Sequence, residues 1–409
     1  MNLVASRTEN LFLFPCFNLK LRFSTATFFN TMLKKLDKNK AKNIWIRAQK
    51  LDIESPFGKG PGAVCKAISH LGYVQIDTIS VVERCHHHIL FNRIPKYRKK
   101  DLHLAQSVEK SIFEYWTHAL AYVAVADFKY FVNEMKNART GPGSWYGSVT
   151  PQDHRKVLKL LRAGPLSIRD IKDDVLVEKE HDWSSSKPSK KALQKGFRKG
   201  EFVIGERVGM LKKYDLTERH FGWSEWPAGV SSAEYSAYIL DRGLRSQGIV
   251  SLDSICHLDA KKKAGVLSLI EKRVAAETLV EVVLPEAAKV RHWATPEVIE
   301  PKCDESEFTH ILSPFDPLVI QRKKHKIFFD HDHLFEAYVP KEKRVYGYFS
   351  LPVLSGNTII ALLDLKTDRV GKQLLIQSWH WLGKNKSQKN KKIIEIALEK
   401  FEKFQLAGD

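Results

Sequence analysis

LGYVQIDTISVVERCHHHILFNRIPKYR, residues 71–98, contains the tripeptide Gln75-Ile76-Asp77, which sets a carboxamide and a carboxylate two positions apart after a short apolar run. In an extended or tightly turned backbone, alternate side chains point the same way, so Gln75 and Asp77 share one face while Ile76 anchors the other. An amide and a carboxylate then converge on one small volume. The same residues admit a plainer reading, in which Asp77 caps a helix opened at Thr78 or Ser80 and Gln75 is solvated. Spacing alone leaves both readings open.

Upstream, KNKAKNIWIRAQKLD carries Ile44, Ile46 and Leu51 at roughly helical intervals, and AVCKAISHLGYVQID runs from an amphipathic helix into the tripeptide. Downstream, DLHLAQSVEKSIFEYW reads as a second helix leading to AYVAVADFKYFVNEMKNA, and Gly141-Pro142-Gly143 marks a boundary. In 150–228, PQDHRKVLKLLRAG, PLSIRDI and the basic KPSKKALQKGFRKG predict three helices, and EFVIGERVGMLKKYDLTE alternates around Gly205 to Gly209 like a two-stranded wing. A third helix carrying Lys190, Lys191, Lys195 and Arg198 is the usual groove reader in such a unit; a solvated basic face explains the same lysines. Residues 229–300 repeat the order of elements with SSAEYSAYILDRGLRSQG, VSLDSICHL and KKKAGVLSLIEKRVAAETLVEVVL. From 301 to 384, short runs that include HKIFFD, FEAYVP, VYGYFSLPVL and TIIALLDLKT have the spacing of a small antiparallel sheet or barrel. GKNKSQKNKK then reads as a charged linker before a terminal amphipathic helix, IIEIALEKFEKFQL.

Lys plus Arg number 66 against 47 Asp plus Glu, a net charge of +19, which draws the chain to a polyanion. Nucleic acid is the simplest partner, because phosphate contacts release counterions, and an anionic membrane surface is the rival. No run approaches the ~20 apolar residues of a spanning helix. The five cysteines are scattered without a Cys-x-x-Cys pair and read as reduced thiols of a cytosolic protein. Residues 1–37 are expected to be a disordered or mis-assigned extension, with Met32 as an alternative start.

LGYVQIDTISVVERCHHH, SPFDPLVIQRK at 313–323 and EAYVPKEKRVYGYFSLPVL at 336–354 resemble, in order, the winged-helix DNA glycosylases of the AlkZ and YcaQ group. That family is marked by a Gln-apolar-Gln or Gln-apolar-Asp tripeptide, and the second form here points to the YcaQ-like branch. The resemblance implies an α+β fold of tandem winged helices (38–140, 150–228 and 229–300), then a small β-barrel (301–384) and a basic linker with a C-terminal helix (385–409). It implies a monofunctional hydrolase that removes N-alkylated purines from double-stranded DNA and unhooks interstrand crosslinks, as a cytoplasmic monomer of the bacterial cytosol or nucleoid without cofactor or metal.

In that chemistry Asp77 steadies the sugar cation and accepts a proton from water, and Gln75 holds the water or the lesion in line. Arg322, Lys323 and Lys324, with Lys343 and Arg344 on the next hairpin, flank the family-like segments and are expected to contact phosphates, although a charged strand edge gives the same pattern. Tyr115, Trp116, Tyr122, Trp145 and Tyr146 include candidates for stacking on bases, most of them expected in the core. Two histidine clusters, His86-His87-His88 behind Arg84 and Cys85, and His331-Asp332-His333, lack the spaced partners of a metal site. The competing class is a winged-helix transcriptional regulator, which would share the basic helix at 188–199 but has no use for a paired amide and carboxylate outside it.

Overall fold

The computed structural model describes residues 33–140, 149–173, 175–176, 185–302 and 304–407. β1 (Lys34–Lys35) precedes α1 (Lys38–Ala48), which opens where the Asp37 carboxylate accepts the Lys40 N–H and which buries Ala41, Ile44, Trp45 and Ile46. α2 (Pro61–Leu71) ends on Gly72, whose φ of 82° is the left-handed cap that glycine permits. A Cβ there would also strike the Arg242 side chain at 2.2 Å. β2 (Val74–Gln75), α3 (Cys85–Phe91), α4 (Lys99–Ser107), β3 (Ile112–Trp116) and β4 (Leu120–Ala124) complete the first unit, with strand order β2-β4-β3. DLHLAQSVEKSIFEYW is therefore not one helix. It breaks after Ser107, Lys110 turns at φ 52°, and Ile112 to Tyr115 are buried as strand.

After α5 (Val132–Thr140), the second unit comprises α6 (Pro151–Ala163), β5 (Leu166–Ser167), α7 (Pro188–Arg198), β6 (Phe202–Val208), β7 (Leu211–Leu216) and α8 (Thr217–Phe221), with strand order β5-β7-β6. The third contains α9 (Ser232–Gln247), α10 (Leu252–Ile255), α11 (Lys263–Ala275), β8 (Val280–Val283), β9 (His292–Ala294) and α12 (Pro296–Ile299), with Val250 bridging to Trp293. β1, within the stretch expected to be a disordered extension, pairs in parallel with β8. In the first two units the final strand lies between the short strand and the hairpin's other strand; in the third, β8 is central between β1 and β9, and the outer side of β9 carries the single bridge to Val250.

The C-terminal part holds β10 (Thr309–Ile311), α13 (Pro317–Ile320), α14 (Arg322–Phe329), β11 (Ser350–Ser355), β12 (Thr358–Asp368), β13 (Gln373–Trp381) and α15 (Gln388–Leu406). Its four strands run β10-β11-β12-β13 as an open antiparallel sheet, so the expected barrel is not closed among the described residues. HKIFFD, expected as a strand, lies in α14, which ends at Asp330 with φ 53°; FEAYVP is not a strand, and part of the expected linker already belongs to α15. Leu351, Val353, Ala361 and Leu363 of the sheet pack with the first unit and with Phe401 and Phe404 of α15, whereas Leu354, Ile359 and Leu362 pack with Trp45 and Phe328.

Two buried ion pairs tie these layers. Arg93 clasps Asp316 of the SPFDPL segment bidentately at 2.8 and 3.1 Å, and its other donors reach Gln49 O, Gln49 Oε1 and Ile89 O. Arg207 of β6 clasps Glu114 of β3 at 2.5 and 2.6 Å, joining the second unit to the first.

Candidate active site

Gln75 is the last residue of β2, where it pairs with Ala121, and the Ile76 N–H continues the ladder by donating to Leu120 O at 2.8 Å. Ile76 is buried in the first core, as its alternation requires. Past it the chain leaves the sheet. Asp77 does not cap a helix; its Oδ1 accepts the Ile79 N–H at 2.8 Å, a local Asx turn in a segment without regular structure. The carboxylate is half-exposed and forms no ion pair among the described residues.

Gln75 is buried, and its Oε1 lies 3.0 Å from Nε2 of His118, at the tip of the β3–β4 hairpin. The Cys85 thiol, first residue of α3, donates to Gln75 O at 3.2 Å, and burial followed by the nearby Asp77 carboxylate pushes that thiol's pKa up. The tripeptide is therefore gripped by its backbone and by one side-chain contact. His118 carried no signal in the sequence: it lies in another hairpin, and only the β2–β4 pairing brings it alongside.

Distant parts of the chain brace the loop that follows. Arg369 donates to Ser80 O and Oγ and to Val82 O, Thr367 N–H donates to Val81 O, and the Gln405 Oε1 of α15 accepts the Glu83 N–H. Beside Ser80 and Val81 opens a cleft of about 630 Å³ whose rim carries Lys341, Arg344, Lys366 and Arg369. Two carboxylates shape the facing segment. Glu336 accepts the N–H groups of Val345, Tyr346 and Gly347, and Asp364 those of Tyr348 and Phe349. Gly347, at φ 122°, presses against Asp364 where a Cβ would sit 2.1 Å from Oδ2.

A second cavity of about 630 Å³ begins at Gln75 and His118 and runs past His257 to Lys263 and Lys323; Asp77 lies outside its lining. Gln75 thus lines this cavity and Asp77 does not. A narrower void of about 250 Å³ adjoins it behind His118 and His257, with Tyr73, Trp116 and Arg242 among its walls. Burial first, then His257 and Arg242, hold the His118 pKa down at about 4, and the ring is neutral at physiological pH.

The expected phosphate contacts divide. Lys190 and Lys343 are exposed, and Lys323 is 87% exposed with Asp253 at 3.5 Å. Lys195 reaches Val149 O, Arg198 pairs with Glu134 at 2.9 Å and lies over the Trp116 ring, and Arg344 donates to Val339 O and stacks on Tyr348. Arg322 is turned onto His333 O and Pro314 O, with burial lowering its pKa to about 10. Two expectations fail outright. Lys191 is buried on the inner face of α7, and Lys324 is buried over the Trp45 ring, donating to Gln247 Oε1 and Ile249 O, with its pKa driven well down by desolvation. Both lysines fall on the inward side of amphipathic helices, which residue type alone conceals.

His86, His87 and His88 diverge: His86 packs on Tyr122, His87 meets Tyr97 Oη at 2.5 Å, and His88 meets Ile311 O at 2.8 Å. His331 and His333 are buried beside His325. Tyr115 and Tyr122 are core residues, Trp116 is half-buried, and Trp145, Tyr146, the Gly141-Pro142-Gly143 cluster and residues 1–32 lie outside the described residues. No helix among the described residues is long and apolar enough to cross a membrane.

The solved structure of the Streptomyces sahachiroi DNA glycosylase AlkZ is similar in fold, with a TM-score of 0.60 at 13% identity over 91% of this chain and 97% of that one. A family model described as DNA glycosylase AlkZ-like matches residues 68–404, which include the tripeptide, His118, the braced loop and both cavities. The chain belongs to the AlkZ-like family of DNA glycosylases.

Proposed function

We propose that this glycosylase hydrolyses the N-glycosidic bond of N-alkylated purines, N7-alkylguanine foremost, and unhooks purine interstrand crosslinks, leaving abasic sites. The Asp77 carboxylate carries the reading, being half-exposed, oriented by one backbone N–H and unpaired with any cation among the described residues. N7-alkylguanine is already cationic, so when the C1′–N9 bond breaks its electron pair neutralises the departing purine, and no strong acid is needed. The sugar is left as an oxocarbenium-like cation, which a nearby carboxylate stabilises. Water then adds at C1′ and gives its proton to Asp77. No lysine occurs in 76–84, which favours hydrolysis over an imine route.

The strand order common to the first two units, with the Val250 bridge to β9 in the third, supports reading 38–140, 150–228 and 229–300 as three winged helices. Double-stranded DNA would then run along a basic path that includes Lys190, Lys195 and Arg198 of α7, Lys323, the exposed Lys343, and the cleft of Lys341, Arg344, Lys366 and Arg369. Gln75 would meet the lesion from the neighbouring cavity, and the protein would act as a cytoplasmic monomer. An open cleft suits a crosslinked substrate, whose joined strands resist extrusion of one base into a closed pocket.

The experiment incubates the protein with DNA containing N7-methylguanine or a nitrogen-mustard crosslink, cleaves abasic sites with hot alkali, and repeats with Asp77→Asn. Excision is expected to fall by roughly 10²–10⁴-fold in the variant while DNA binding persists. Native protein that leaves both lesions intact, or an Asn variant that works at the native rate, ends the proposal.

A further inference from the structure

The hairpin that carries His118 is closed tightly, with Thr117 N–H donating to Ala119 O at 2.9 Å. Because β4 pairs with β2, this tip lies against the end of the tripeptide, and the His118 ring is wedged edge-on between Tyr73 at 5.1 Å and His257 at 4.8 Å. Its Nε2 is 3.0 Å from Gln75 Oε1, and its Nδ1 is 3.4 Å from Thr117 Oγ1.

From this contact we infer that His118 is a positioning residue, whose Nε2–H holds the Gln75 carbonyl and so turns the Gln75 amide NH₂ toward the cavity as a donor for an acceptor atom on the damaged purine. A neutral imidazole has a single N–H, and an amide oxygen can only accept. The ring must therefore carry its proton on Nε2, which leaves Nδ1 unprotonated beside Thr117 Oγ1, whose own hydrogen is directed at Ala119 O at 3.2 Å. A carboxamide is planar with its oxygen and nitrogen at opposite corners, so fixing one fixes the other. Gln75 Nε2 has no hydrogen-bond partner among the described residues, and Gln75 lines the 630 Å³ cavity. The opposite tautomer would reverse the recognition: Nε2 would accept, the amide would flip, and Gln75 would offer its carbonyl to the substrate.

The inference rests on the proposed role of Gln75, and the test separates the two. In the full chain, ¹⁵N shifts and long-range ¹H–¹⁵N correlations of the His118 ring report which nitrogen is protonated at neutral pH. Protonated Nε2 is expected; protonated Nδ1 overturns the inference without any variant. Single-turnover excision of N7-methylguanine is then measured for Gln75→Ala, His118→Phe and the double variant. Each single change is expected to slow excision by about tenfold, the size of one hydrogen bond, and the double variant to be no slower than Gln75→Ala. Losses that multiply, or a His118→Phe enzyme as fast as native, mean that His118 does not act through Gln75. If His118→Phe fails to fold, His118→Leu, which likewise lacks a donor, replaces it, and its double variant with Gln75→Ala is judged by the same rule. A Gln75→Ala enzyme that excises at the native rate defeats the proposed role of Gln75 itself, whatever the tautomer.

Discussion

Arg93 and Asp77 lie in one stretch of chain, 71–98, yet their polar groups are treated in opposite ways. The five N–H donors of Arg93 meet five acceptors on Asp316, Gln49 and Ile89 in a dry junction. At the tripeptide the groups stay partly unengaged: Gln75 has one end held by His118, and Asp77 has one oxygen on a backbone N–H and no cation among the described residues. Complete satisfaction marks the group that holds the layers together, and incomplete satisfaction leaves Gln75 and Asp77 with the capacity to bind a substrate that the proposed reaction requires.

The sharpest break of that contrast is Arg93→Ala. It strands the Asp316 charge in the interior and is expected to lower stability by about 3–5 kcal/mol, seen as a large fall in the urea midpoint; Arg93→Met with Asp316→Leu should recover much of it. A single variant within 1 kcal/mol of native would show the junction is not what joins the layers. Asp77→Asn should do the reverse. Its side-chain oxygen still accepts from Ile79, so the midpoint should move by less than about 1 kcal/mol while excision collapses.

Acid should weaken the closed regions. His88 and His310 are held near pKa 4 by burial, against 6.5 in an unfolded chain. Both are neutral in the fold, so as the pH falls from 6.5 to 4 the unfolded chain takes up protons that the fold refuses. Stability should therefore drop across that window, by up to roughly 3 kcal/mol for each such ring, and a thermal midpoint flat from pH 7 to 4 would contradict their burial. The smallest effect belongs to an exposed lysine beside the cleft. Lys343→Ala should reduce the slope of log affinity against log salt by about one and leave excision at saturation unchanged; an unaltered slope removes Lys343 from the DNA path.

Two of the three helices expected in the second unit were legible in the sequence because their period holds and, for α6, Thr150 and Asp153 cap reciprocally; PLSIRDI instead forms β5 and a single 3-10 turn at Ile168–Asp170. The tripeptide was legible too, but not that Gln75 alone of its two polar residues would line the cavity. β2 ends at Gln75, and the Asx turn at Asp77 breaks the alternation on which the expectation of a shared face rested. HKIFFD misled because a short apolar run fits a strand or one turn of buried helix equally, and only the neighbouring RKK and the turn at Asp330 extend it as helix. Lys191 and Lys324 look like any surface lysine until packing assigns their helix faces. His118 was invisible for a deeper reason, since nothing local to a hairpin tip names the strand it will touch.

Gln405, almost the last residue described, accepts the Glu83 N–H at 2.6 Å and the Thr367 hydroxyl at 2.9 Å, so α15 is part of the scaffold behind Asp77. A chain cut short before that helix keeps the whole tripeptide and the loop after it but loses this brace, so a deletion that reaches Gln405 is a more serious intervention than its distance from Asp77 along the sequence suggests.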